Sequence, residues 1–474
     1  MEHESSADTE VNVKSPGPPK RLIFCFDGTW NTLDARCPTN VVLTAETVLP
    51  MAPDGKAQAV FYDQGVGTGK FERLGGGMFG WGIVDRLGDA YRFLTFNYTP
   101  GDEIFVFGFS RGAFTARSFV GMLRNCGVVS RSQAGRIGEA IDWYRARSQS
   151  RGPDSLPTLR FRADISPTVC VTEEEDAWRQ ANVVGYVAGS APLLSIRYLG
   201  VWDTVGALGV PTRYQLLAFF NRKYRFHDTA LSALVTSGRH AVAIDERRDD
   251  FTPTLWSNVD DLNRRAGADP DSSKAPYQER WFPGVHCGVG GGGDFRGLSD
   301  QSLAWVWDGA QRAGLALDTT VGSRLFELSP DLRSPLSPFD EDSLGLWQRT
   351  QTAVVNSVWR RADRKGPTAF RDVSYSARRR WKAVPGDLPE KRAYRPSPLL
   401  PFAKELDALP DLPPVPEPGT FTVVRVTHGD TLSKIARRRL GDVNRWNEIF
   451  EMNRDVLDDP DHIYCGTPLR VPKQ

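Results

Sequence analysis

The chain has 474 residues, more than one hydrophobic core usually organises, so two or more domains are expected. Hydrophobic residues make up 40% and charged residues 25%, an ordinary globular composition. With 59 basic and 58 acidic side chains the formal charge is +1, which removes the electrostatic case for nucleic acid as a main partner, since phosphate neutralisation needs an excess of Lys and Arg.

Residues 1–20 are polar and acidic and end in Pro and Lys, and they read as a disordered tail. They lack the basic start and apolar run of a secretory signal. No stretch of about 18 apolar residues follows, so no membrane span is expected. Synthesis in the cytoplasm is the expectation. Six cysteines (Cys25, Cys37, Cys126, Cys170, Cys287, Cys465) lie far apart, without the short spacings of metal or redox motifs. They read as separate thiols, and neither a metal nor a cofactor is expected.

Residues 21–26 form the first apolar, β-prone run, stopped by Asp27, Gly28 and Thr29. Residues 59–62 form a second, before the glycine-rich stretch 65–82. The spacing of Leu87, Tyr91 and Leu94 predicts an amphipathic helix over 84–96. A compact strand at 102–107 runs into Ser110 and a helix from Arg111 to about Asn125. Strand, helix and strand at these lengths predict an α/β fold, a mostly parallel sheet with helices on both faces. The polar segment 128–193 reads as a largely helical insertion, a candidate lid. Residues 194–201 form another strand with Asp203 just beyond it, and 213–239 reads as helical. One more strand lies within 277–289, before five glycines in six residues.

From 381 to 420 prolines cluster, which predicts a stiff, extended linker. The division is then a tail at 1–20, a main domain at 21–380, the linker, and a small domain at 421–474 with a strand, helix, helix, strand pattern.

Gly108, Phe109, Ser110, Arg111 and Gly112 make a Gly-x-Ser-x-Gly pentapeptide between strand and helix. In an α/β-hydrolase this spacing places a nucleophilic serine on a sharp turn. Both glycines are then required, because side chains there would collide with the neighbouring strand and helix. The helix aims its positive end at the site, and the Arg111 N–H is one expected oxyanion donor.

A nucleophilic serine needs a base, and the base needs an orienting carboxylate. The chain order of this fold is Ser, then Asp or Glu, then His. Of six histidines, His3 lies in the tail, and His428 and His462 belong to the small domain. His227 and His240 sit in helix-like segments. His286 follows an apolar run at a strand end before the glycines, where functional side chains concentrate. It is the expected base. Asp203 is the expected acid. Its competitors Asp245 and Glu246 precede Arg247 and Arg248 and read as an ion-paired surface.

Asp27 ends a strand in Asp-Gly-Thr, a pattern shared with haloacid-dehalogenase phosphatases, but the nucleophile position of those enzymes is Cys25 here. The turn at Gly28 and Thr29 is instead expected to supply the second oxyanion N–H, with Asp27 supporting the loop. Gly65 to Lys70 fails as a phosphate loop, because Gln64 replaces the first glycine and Phe71 the Ser or Thr.

Five ordered motifs resemble one family: residues 22–31 (LIFCFDGTWN), 108–117 (GFSRGAFTAR), 199–205 (LGVWDTV), 240–256 and 281–286 (WFPGVH). It is an uncharacterised α/β-hydrolase family that includes the phospholipase effectors of type VI secretion, family 1. The resemblance covers residues 20–380. It implies hydrolysis of phospholipid acyl esters by a triad falling on Ser110, Asp203 and His286. One departure stands out: where the family has Ser-Asp after the histidine, this chain has Cys287 and Gly288.

The segment from Val424 resembles a LysM domain through Thr427, His428, Gly429, Asp430, Thr431 and Leu432, then Trp446, Ile449, Asn453, Ile463, Gly466 and Leu469. LysM modules bind N-acetylglucosamine polymers such as peptidoglycan and dock in phage-tail-like machines. Together the resemblances imply an antibacterial effector secreted to the target-cell periplasm. Its expected partners are a phospholipid surface, peptidoglycan or a secretion-spike component, and an immunity protein. The alternatives are a carbohydrate or peptidoglycan esterase, or an inactive hydrolase fold serving as a wall-binding adaptor.

Overall fold

Residues 21–26 are wholly buried and form β1 (Arg21–Phe26), flanked in register by β2 (Gln58–Asp63) and β3 (Glu103–Phe109). In the computed structural model these are joined by β4 (Ile196–Trp202), β5 (Gly238–Ala243) and β6 (Tyr277–Phe282). The result is a six-stranded sheet of order β2-β1-β3-β4-β5-β6 with every pairing parallel. The structure describes residues 17–28, 35–65, 79–146, 149–206, 230–318, 328–339, 361–414, 419–427 and 429–473, with positions 320, 323, 416 and 417.

Alternation along each strand assigns the two faces. Leu22, Phe24, Phe26, Ile104 and Val106 point to one side, under the helices Phe79–Asn97 and Arg111–Cys126. Ile23, Cys25, Phe105, Phe107 and Phe109 point to the other, under Asn40–Thr47 and Gly297–Arg312. This is an α/β fold with helices on both faces, as expected from the strand–helix alternation.

The segment 128–193 holds the helices Ile137–Arg145, Leu156–Ile165 and Glu173–Asn182. Ile137, Ile141, Tyr144, Phe161 and Ile165 belong to the same core cluster as β1 and β3, so this segment is packed wall. Glu175 accepts hydrogen bonds from both Arg162 and Arg179, all three side chains being buried.

Two expectations are corrected. Residues 230–239, read as the end of a helix, hold none: 230–237 are non-helical, with turns and bends, and 238 and 239 lie in β5, as does His240; positions 213–229 fall outside the described residues. Segment 381–412 is not extended: Trp381, Leu388, Tyr394, Leu399 and Leu406 are buried in a third cluster with Val242 and Trp281. That cluster covers the outer edge of the sheet, where Val373 bridges Trp281 of β6 and the Ser374 N–H donates to the Trp281 carbonyl. The six cysteines are free thiols, as expected, and three of them are fully buried.

The C-terminal region forms β7 (Phe421–Arg425), the helices Leu432–Leu440 and Trp446–Met452, and β8 (Pro468–Pro472), antiparallel to β7. Thr431 caps the first helix through its hydroxyl, and Gly441 ends it with a positive φ of 77°. Val424, Leu432, Ile435, Ile449 and Leu469 fill a small core. Among the described residues no helix is long and apolar enough to cross a membrane.

Candidate active site

In a parallel sheet all strand C-termini share one edge, and ligands bind beyond that edge. Here Asp27, Ser110, Asp203 and Glu246 leave β1, β3, β4 and β5, and His286 follows β6. The edge therefore gathers residues that lie up to 259 positions apart, from Asp27 to His286.

Ser110 sits between β3 and the helix Arg111–Cys126 with φ 59° and ψ −124°, a conformation that L residues rarely adopt. Neighbouring backbone holds it there. The Ser110 N–H donates to Trp202 O at 3.0 Å, and its carbonyl accepts from Phe114 and Val205 N–H groups, both at 3.3 Å. The flanking glycines have the predicted reason. A Cβ on Gly108 would lie 2.7 Å from Ala113 Cα, and one on Gly112 would lie 2.2 Å from the Phe26 carbonyl oxygen. The Arg111 N–H is the first of its helix, at the positive end of the helix dipole.

Asp203 also has a positive φ, 38°, and is wholly buried. Its Oδ1 accepts from the Ala243 N–H at 2.9 Å, and its Oδ2 lies 2.5 Å from His286 Nδ1. His286 is placed by packing as well. Phe109, the residue before Ser110, packs tilted by 31° against the imidazole with ring centroids 4.6 Å apart, and Phe251 meets it edge-on at 4.9 Å. Gly290 is required for this packing, since a Cβ there would fall 1.9 Å from the Phe109 ring. His286 does not lie at a strand end, as expected, but opens a short helix, His286–Gly290, that runs into the glycines.

The electrostatics follow from these contacts. Burial opposes ionisation of Asp203, but the Arg364 guanidinium and the His286 hydrogen bond outweigh it and hold the carboxyl well below the usual range. For His286, burial disfavours the imidazolium more than Asp203 favours it, so its pKa falls below the ordinary value.

The competing carboxylates are not the exposed ion pairs expected. Glu246 is 3% exposed, pairs with Arg248 at 2.7 Å, and accepts the His286 backbone N–H at 3.3 Å. Asp245 accepts from Gly284 N–H at 2.7 Å and Tyr394 OH at 2.9 Å, and burial pushes its carboxyl up to about 6. A carboxyl raised in the folded state contributes stability below about pH 4 that is lost as pH rises through about 6. Asp245→Asn keeps an acceptor for both donors and removes the ionisation. It should stabilise the protein by about 1–3 kcal/mol at pH 7.5 and leave it unchanged at pH 4, as read by thermal melts at the two pH values.

Asp27 hydrogen-bonds with Gly28, Thr39 and Tyr62. Its Oδ2 accepts from Thr39 OH at 2.8 Å and Tyr62 OH at 2.9 Å. Its Oδ1 takes the Gly28 N–H at 2.6 Å, so Gly28 is not the free oxyanion donor expected of it. Thr29, the other expected donor, lies outside the described residues, as do His3, His227 and His428. His240 is buried in β5 and engaged at both nitrogens: Nδ1 lies 2.8 Å from Glu279, and Nε2 accepts the Thr204 N–H at 3.2 Å. It buttresses the turn after Asp203. His462 sits in the C-terminal region against Asp308 at 3.1 Å. At Gly288 a Cβ would come 2.9 Å from the Leu336 carbonyl oxygen, so an aspartate there would displace residue 336.

Sequence reasoning missed Arg364, whose guanidinium grips both oxygens of Asp203, at 2.6 and 3.0 Å. It lies in a run of charges at 360–365, which carries no signal of burial.

Residues 20–309 match the family model described as "T6SS, Phospholipase effector Tle1-like, catalytic domain", and residues 424–472 match the LysM domain. An uncharacterized protein of Saccharomyces cerevisiae, YEL023C, is 27% identical over 263 residues, 52% of this chain and 34% of its own length. The potassium binding protein Kbp of Escherichia coli is 47% identical over 49 residues, 10% of this chain and 33% of its own length. The chain thus spans about a third of the curated relatives it matches. Among solved structures, an uncharacterized protein from Pseudomonas aeruginosa is similar with a TM-score of 0.37 and 19% identity, over 66% of this chain and 49% of that one. The Tle1 effector bound to the VgrG spike is similar with a TM-score of 0.30 and 18% identity, over 61% of this chain and 55% of that one.

Proposed function

Because the chain belongs to the Tle1-like phospholipase effector family of type VI secretion, we propose that it is a serine hydrolase that cleaves phospholipid acyl esters, releasing fatty acid and lysophospholipid. The observation that carries this reading is the 2.5 Å contact of Asp203 with His286, whose ring packs on the residue next to the strained Ser110. The Ser110 hydroxyl attacks the ester carbonyl while His286 Nε2 takes its proton. The Arg111 N–H, at the positive helix end, stabilises the tetrahedral oxyanion. His286 returns the proton to the departing lysophospholipid alcohol, and water then releases the fatty acid from the serine ester by the same steps. Asp203 orients the imidazole throughout. No cofactor enters this scheme.

The LysM region is read as a peptidoglycan-binding or spike-docking module that holds the enzyme in the target-cell periplasm after type VI delivery, where an immunity protein would oppose it. That module also favours a second reading, an esterase deacylating peptidoglycan or another glycan. Vesicles of phosphatidylethanolamine and phosphatidylglycerol separate the two. Fatty acid and lysolipid should appear in equal amounts. Acetate from O-acetylated glycan with no lysolipid would reverse the order, and inertness toward both would leave the adaptor reading.

A depressed His286 pKa keeps the base neutral in mildly acidic solution. The acid limb of kcat/KM should accordingly lie below the ordinary imidazole value of about 6.5. A limb at or above pH 7 would contradict the burial argument.

A further inference from the structure

Arg364 lies beyond residues 20–309, the part matched by the family model. The segment carrying it is tied to the loop after β5: Arg361 bridges Arg248, and the Ala362 N–H donates to the Arg247 carbonyl at 2.8 Å. From there the side chain, 5% exposed, reaches the back of Asp203. One terminal nitrogen donates to Asp203 Oδ1 at 2.6 Å and to the Ala243 carbonyl at 2.7 Å. The other donates to Asp203 Oδ2 at 3.0 Å and to the Phe251 carbonyl at 2.5 Å.

A lone carboxylate can rotate about its Cβ–Cγ bond, and a planar guanidinium bound to both oxygens prevents it. With Oδ1 also held by the Ala243 N–H, the remaining direction on Oδ2 faces His286. The same guanidinium fixes the Phe251 carbonyl, and the Phe251 ring packs on the imidazole. Charge matters as much as shape. The charges of Asp203 and Glu246 favour the imidazolium and Arg248 opposes it, and the last two pair with each other. An Asp203 without a counter-charge would hold the proton on the imidazole more tightly.

We propose that Arg364 is a positioning residue for the reaction at Ser110: it locks the plane of the Asp203 carboxylate and offsets its charge, so that His286 is oriented yet remains a free base. This rests on the triad reading above, so the test reads the serine directly. The full chain, wild type and with Arg364→Gln or Arg364→Lys, is reacted with a fluorophosphonate between pH 5 and 9, and the rate of Ser110 labelling is followed. Arg364→Gln should label about 10²-fold more slowly at pH 7, with its acid limb moved to higher pH. Arg364→Lys restores the charge but cannot grip both oxygens, so its limb should stay near the wild-type position while its rate recovers only in part. Wild-type rates in both variants would overturn the proposal. So would a slow Arg364→Gln with an unmoved limb, which is the mark of a merely structural residue. If Arg364→Gln does not fold, Arg364→Lys decides: a reduced rate with an unmoved limb supports the proposal, and an unchanged rate overturns it. A wild type that takes no label at Ser110 would overturn the triad reading itself, and this inference with it.

Discussion

Asp203→Asn should lower kcat on phospholipid vesicles about 10⁴-fold at pH 7 and also weaken the fold. An amide has one acceptor oxygen where the carboxylate has two. If that oxygen keeps the Ala243 N–H and Arg364, the amide NH₂ faces His286 Nδ1 and forces it to accept. The ring proton then sits on Nε2, where the lone pair for the serine proton is needed. Arg364 meanwhile loses its counter-charge in a site where it is 5% exposed. An uncompensated buried charge costs about 3–5 kcal/mol. Steady-state kinetics and calorimetry on one preparation read both losses. Activity within tenfold of wild type would remove Asp203 from the mechanism.

Gly112→Ala should prevent a native site from forming. The new Cβ would lie 2.2 Å from the Phe26 oxygen and 2.4 Å from the Asp27 oxygen, both of them backbone atoms. They cannot rotate aside, because β1 is laddered to β2 and β3 on its two edges. Either the strand end or the Ser110 turn must move, at a cost of about 3 kcal/mol or more. Gly138→Ala is the control. It lies in the helix Ile137–Arg145 with nothing within 4 Å of the added Cβ, so the change should stabilise by about 0.5–1 kcal/mol. Thermal melts of the two variants should move in opposite directions.

Much of the sheet was legible because β1, β3 and β4 are buried almost throughout and so read as short apolar runs. Ser110 was legible because a tight turn between strand and helix demands glycine at two fixed positions. His286 and Asp203 were reached by elimination and chain order. What stayed hidden is polar burial. Arg239 and His240 in β5 look unlike core strand, yet Arg239 is satisfied by Asp308 and the Trp305 carbonyl, and His240 by Glu279 and Thr204. Arg364 was hidden for the same reason, since its partner lies 161 residues earlier. The proline-rich stretch misled in another way: leucines and aromatics between the prolines are numerous enough to pack against β6.

The proposed reaction depends first on Ser110 being a nucleophile activated by His286. The direct test is to treat the full chain with a fluorophosphonate and locate the adduct by peptide mass spectrometry. One adduct is expected, on Ser110, absent in Ser110→Ala and severely slowed in His286→Gln. An unlabelled wild type, or an adduct at another serine, would contradict it.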